Sequence, residues 1–191
     1  MKLTLRHVGI TAALLLLAIL FGFAFDGIAT AVERHNHPRP DEFAEQIAEN
    51  AETFGIPEAV LWATVKVRSD FASNARDADG GIGLMLLTPT RFDTIRTEIL
   101  KQEPLDAGML YDPTTNLTCG AAYLSHLYQL YGAWETAFAA FVTDEATVNA
   151  WLADARYADE LGMLKSIPDK NAAAVVKDMA HALSTYQKLY Y

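Results

Sequence analysis

The chain has 191 residues, enough for one domain of about 150 residues and an N-terminal extension. Fifteen basic residues against 24 acidic ones leave a formal charge of −9, and 51% of the residues are apolar. This excludes a basic stripe for nucleic acid and charge-driven adhesion to teichoic acid or anionic lipid, and it favours a packed core over disorder. The one cysteine, Cys119, cannot form an intrachain disulfide and reads as a buried helix residue.

The first 25 residues hold no acid, and Lys2 and Arg6 are their only formal positive charges. Residues 1–7 read as a cytoplasmic stub. Val8 to Phe25 is an uncharged run of 18 residues, long enough to cross a bilayer as a helix. Positive charge before it, and Asp26 and Glu33 after it, place the N-terminus inside and the rest outside. The expected location is therefore the cell membrane, single-pass, with the domain on the extracellular side. Ala29-Thr30-Ala31 offers the alternative, a signal cleaved near Ala31 and a secreted product. Beyond the run 13 basic residues face 24 acidic ones, a net of −11. Residues 26–40, with Pro38 and Pro40, read as a tether. Its His35 and His37 supply too few ligands for a metal, and no cofactor is expected.

Residues 41–191 form the expected domain. Asp41 is positioned to cap a helix through about Phe54, with Phe43, Ile47 and Ala51 on one face. Gly55-Ile56-Pro57 interrupts, and Pro57 starts a second helix to Ser69. Asp70 to Ile82 has no period and reads as a loop. Thr88-Pro89 opens a helix to about Leu100, and Asp112-Pro113 opens one to about Tyr131. That last helix is apolar on two sides, so it belongs at the centre of a bundle. Short helices follow at Trp134 to Phe141 and Ala146 to Leu152. Lys170 to Tyr190 carries Ala172, Val175, Val176, Met179, Leu183, Tyr186 and Tyr190 at helical spacing. Nothing alternates long enough to make a sheet, so the fold is all-α.

Four segments carry the chemical information. They are Arg68-Ser69-Asp70-Phe71, Gly83-Leu84-Met85-Leu86-Leu87-Thr88-Pro89, the stretch from Asp112-Pro113 through Asn116 and Gly120 to Tyr123-Leu124, and Ala140-Phe141-Val142-Thr143-Asp144. In order and spacing they resemble the goose-lysozyme-like lytic transglycosylases, which cleave peptidoglycan glycan strands. The family pattern reads Glu-Ser-x-Phe, Gly-Leu-Met-Gln-Leu-x-Pro, Asp-Pro-x-x-Asn-Ile-x-x-Gly-x-x-Tyr-Leu and Ala-Tyr-Asn-Ala-Gly. The resemblance covers about residues 41–190 and implies a lysozyme-like helical domain.

It also implies a lost acid. Glycosidic cleavage needs a group to protonate the leaving oxygen. In the family a glutamate does so and then acts as base, while the sugar's own 6-hydroxyl closes a 1,6-anhydro ring. Arg68 stands at that position and cannot exchange a proton near neutrality. The glutamine is Leu86, and tyrosine and asparagine are Phe141 and Val142. The residual cleft implied by the resemblance is Arg68, Ser69, Met85, Leu86, Tyr123, Phe141 and Val142.

Arg68 shares a helical face with Leu61, Thr64 and Val65, so it points inward. An inward guanidinium needs a carboxylate, expected from Asp144 or Glu145 and then Asp79, with Asp70 and Asp77 also flanking the cleft. The expectation is a catalytically inactive domain acting by binding, either weakly to peptidoglycan strands or to a cell-wall or membrane protein through a groove turned apolar. An active lytic transglycosylase using a displaced acid is the alternative. A structural domain that holds partners at the wall is a third.

Overall fold

The computed structural model describes residues 2–191; the side chains of residues 1–9, 11–14 and 23 lie outside it. The charges of the 1–7 stub and part of the 8–25 run therefore fall outside the description. The chain divides into two units, residues 1–38 and residues 39–191.

The first unit is one helix, α1 (Lys2–Asn36). Its Leu15–Asn36 portion is long and apolar enough to cross a membrane, by length and composition. The tether expected at 26–40 is helical as far as Asn36. No proline occurs before Pro38, and Ala29, Ala31, Glu33 and Arg34 are compatible with a helix that the prolines alone interrupt. His37 is drawn onto the last turn, with Nδ1 3.3 Å from Glu33 Oε2.

The second unit holds α2 (Asp41–Phe54), α3 (Glu58–Ser69), α4 (Pro89–Thr94), α5 (Pro113–Tyr131), α6 (Trp134–Val142), α7 (Glu145–Leu152) and α8 (Lys170–Tyr190). No strand occurs among the described residues, only isolated bridges such as Arg76 with Ile82 and Ile82 with Leu87. The domain is lysozyme-like and helical, as its pattern implied. α5 is central: every residue from Leu117 to Leu127 is buried except Thr118 and His126, and α2 and α6 pack against it. Cys119 is 1% exposed, and burial pushes its thiol up to about 11.

Helix ends follow local chemistry, with corrections. Asp41 does not cap α2; Pro40 holds the N-cap position and Asp41 is the first helical residue. Pro57 is likewise the N-cap of α3 rather than its first residue. Thr88 and Asp112 do cap, accepting from Arg91 N and Thr115 N. The helix expected at 89–100 is α4 followed by a π-helical turn, Ile95–Ile99. A 3-10 helix, Ala107–Tyr111, was not anticipated; it carries Leu110 into the core.

α3 leaves its axis through two consecutive left-handed residues, Asp70 (φ 49°) and Phe71 (φ 67°). A bulky residue there is strained. Packing holds it, because the Phe71 ring lies 6.3 Å from Phe43 and 6.0 Å from Trp62. α8 lies along α3 and α6, burying Ala172, Val176, Met179, Ala182, Leu183 and Tyr186. Each large apolar side chain buried this way contributes about 1.5–3 kcal/mol.

The first residue of the unit meets its last. Arg39 lies 5.1 Å above the Trp62 ring, 5.3 Å from Tyr190 and 5.4 Å from Tyr191. Its Nη2 is 3.0 Å from Glu58 Oε2, and the Tyr191 hydroxyl donates to the same oxygen at 2.7 Å.

Candidate functional site

Arg68 projects from the last turn of α3 with its side chain 13% exposed. Its Nη2 donates to Asp77 Oδ2 at 3.1 Å. The other oxygen of Asp77 accepts from Gly81 N at 2.6 Å and Asp79 N at 3.1 Å. Gly81 is required there, since a Cβ would sit 2.7 Å from Asp77 Oδ2. The expected pairing of Arg68 exists, but with Asp77 and not with Asp144, Glu145 or Asp79.

The reasons are local. The turn at 77–81 pre-sets the Asp77 carboxylate within reach of α3. Asp144 is spent capping α7, accepting from Thr147 N at 2.7 Å and Thr147 Oγ1 at 2.8 Å. Those bonds, led by the Thr147 N–H, hold its carboxyl below the usual range. Glu145 lies 3.3 Å from His126 Nε2. Asp79 stays exposed and acts on Arg68 only through space. Burial is the largest influence on Arg68 and pulls its guanidinium down; Asp77 opposes that, and the nearby Arg91 charge adds to it. Arg68 Nε is buried without a hydrogen bond among the described residues.

Asn116, wholly buried on α5, ties the 82–87 segment down. Its Nδ2 donates to Ile82 O and Leu110 O, both at 2.9 Å, and its Oδ1 accepts from Met85 N at 2.9 Å. Gly83 (φ 80°) passes so close that a Cβ would lie 2.3 Å from Asn116 Nδ2. Gly120 likewise makes room for Met85, whose Sδ would stand 2.1 Å from an added Cβ.

The expected cleft residues therefore sort unevenly. Met85 is 0% exposed, Leu86 7% and Phe141 1%, so these are core positions and present no apolar groove. Val142 is half-buried, packed against the core. Ser69 turns its hydroxyl back to Val65 O at 3.2 Å. Tyr123, although only 5% exposed, does line an open groove of about 860 Å³. Its hydroxyl is pushed up to about 12, chiefly by burial.

That groove runs past the π-helical turn at Ile95 to His126, Asp144 and Glu145, and Arg91 also lines it. The His126 ring stacks on Tyr123 at 6.4 Å. Arg91 Nη1 donates to Phe141 O at 2.6 Å, Nη2 donates to Thr143 O, and the guanidinium lies 5.3 Å from the Tyr123 ring centre. Neither Arg91 nor His126 stands out in the sequence, because an arginine in a first helical turn and a histidine on a long helix are ordinary surface residues. Asn116 was visible as a motif position, though not as a three-way clamp. Neither guanidinium can move a proton near neutrality. Asp77 is fully engaged, so proton transfer would have to come from the groove's own acids. Among the described residues no cluster of three or more His, Cys, Asp or Glu is placed to hold a metal.

Comparison with known proteins fits this geometry. The chain is 28% identical over 127 residues to the soluble lytic murein transglycosylase of Escherichia coli K12, covering 65% of this chain and 20% of that one. It is 26% identical over 104 residues to the membrane-bound lytic murein transglycosylase C of Yersinia enterocolitica, covering 52% and 28%. An inactive mutant of lytic transglycosylase Slt from Pseudomonas aeruginosa superposes with a TM-score of 0.67 at 26% identity, over 80% of this chain and 25% of that one. The 70-kDa soluble lytic transglycosylase of E. coli gives 0.72 at 22% identity, over 82% and 25%, a likeness of fold. The chain thus spans between a fifth and about a quarter of the length of these relatives. The Transglycosylase SLT domain model matches residues 45–162, which include α3, the Asn116 clamp and the groove, and the chain belongs to that family.

Proposed function

We propose that this is a non-cleaving transglycosylase-like domain, held outside the membrane by α1, that engages peptidoglycan strands weakly through the groove beside Tyr123. The observation that carries the reading is Arg68. At the position where the family resemblance puts the acid, a guanidinium is folded into an ion pair with Asp77. General acid–base groups contribute on the order of 10²–10⁴ in rate, and a poor leaving group cannot do without one. Leu86 and Phe141 are buried in the core and offer that groove no polar group.

The second reading, cleavage by a displaced acid, has one specific support: Glu145 lines the groove and is 37% exposed. The full-length chain in detergent micelles, incubated with purified sacculi, separates the two. Co-sedimentation without 1,6-anhydro-muropeptides by mass spectrometry is the expected result. Anhydro products from the wild type, abolished in Glu145→Gln, would establish the enzyme instead.

A further inference from the structure

We propose that Arg91 is an internal occupant of the groove, closing it at the end of α6 and setting what it admits. The inference rests on the groove being where a glycan would lie, and it explains why the native chain should hold one weakly.

The need for Arg91 comes from how α6 ends. The last carbonyls of any helix lack partners within it. α2 and α5 end at Gly55 and Gly132, both left-handed, which turn the chain and draw backbone N–H groups onto those carbonyls. α6 ends at Val142, Thr143 and Asp144, with no glycine, and Thr143 has φ −102° and ψ −103°. Asp144 is extended and belongs to the next helix as its cap. Thr143 turns both its N–H and its hydroxyl onto Ala139 O. Phe141 O and Thr143 O are taken by the two arms of the Arg91 guanidinium.

Arg91 is well placed for this. It is the third residue of α4, and its N–H is fixed by the Thr88 hydroxyl at 3.3 Å. From there the side chain crosses a sequence gap of 50 residues to reach α6. On the way its charged plane covers the Tyr123 ring. A saccharide laid against that ring, or hydrogen-bonded to those carbonyls, meets the same groups and must displace the guanidinium first. Two forked bonds and a ring contact hold it, and a lysine could not reproduce the fork.

The test titrates the full-length chain in detergent micelles with chitotetraose, following chemical shifts and heat. The wild type is expected to bind more weakly than about 1 mM, and Arg91→Ala about tenfold or more tighter. Arg91→Lys is long enough to keep one donor for α6 but loses the fork and the flat cover of Tyr123, so it should show a gain in the same direction should the alanine variant fail to fold. Guanidinium protons of Arg91, observed in 15N-arginine-labelled wild type, should be protected in the free chain and lose that protection only as saccharide binds. A folded variant that binds no better than wild type overturns the proposal, as does wild-type binding as tight as that of the variants. Failure of the non-cleaving reading appears separately, as anhydro products from the wild-type chain.

Discussion

Reversing the charge at position 68 tests the Arg68–Asp77 brace directly. Arg68→Glu removes a charge-assisted hydrogen bond between groups 13% and 25% exposed, a loss of about 1.5–3 kcal/mol. It also puts a second carboxylate beside Asp77. At about 4 Å and an effective dielectric near 20 that repulsion reaches about 4 kcal/mol. Rotation of the new side chain toward water relieves part of it, so the expected loss at pH 7 is about 3–5 kcal/mol, the range seen when one member of a buried pair is lost. This is a large share of the 5–15 kcal/mol available to a domain.

The loss should depend on pH. A carboxylate pair binds a proton more tightly when folded than when unfolded. Its folded pKa is therefore raised, and its repulsion is absent below the unfolded value near 4 and grows as pH rises through the folded one. The deficit should be smaller at pH 5 than at pH 7. Urea unfolding of the full-length chain in micelles, followed by tryptophan fluorescence, reads the domain alone, since Trp62, Trp134 and Trp151 all lie in it. A loss below about 1 kcal/mol at pH 7, or a deficit no smaller at pH 5, would refute the brace.

Asn116→Ala strands two carbonyls and one N–H inside the core, and should cost about 4 kcal/mol by the same urea assay at roughly 1–3 kcal/mol per unsatisfied group, before relaxation. Gly120→Ala drives a methyl into Met85; about 1–3 kcal/mol of overpacking is expected, and clearly less in a Met85→Ala background, which a double-mutant cycle measures. Asp144→Ala removes the α7 cap, about 1 kcal/mol at pH 7. Because the folded Asp144 carboxyl sits below its ordinary value, its contribution is present above the unfolded pKa near 4 and fades as pH falls through the folded one, so variant and wild type should converge in acid melts.

Much of the fold was legible because helix signals are local. Asp112-Pro113 and Thr88-Pro89 name their own helix starts, and the apolar spacing of α8 names its buried face from Ala172 to Tyr186. The 3-10 helix and the π-helical turn were illegible, because nothing in their residue types separates them from loop and α-helix. At the site, an inward Arg68 and its need for a carboxylate followed from helix geometry, but the partner did not. Asp77 won because backbone N–H groups of its own turn aim it, while Asp144 was already committed to α7. Reading Leu86 and Phe141 as groove walls failed for a related reason. An apolar residue in place of a polar one is free to sink into the core, and both have done so.

The clasp at Arg39 has a mechanical consequence. Tension arriving along the chain from α1 enters the domain at Arg39, which is gripped by Glu58 and Trp62 of α3 and by Tyr190 and Tyr191 at the far end of the sequence. The pull is thus shared at once between the first and last segments of the domain, and α2 cannot be peeled away until that grip has failed. Under such a pull the unit would yield by losing several aromatic and ionic contacts together, at a threshold of force, instead of unravelling gradually from its leading edge.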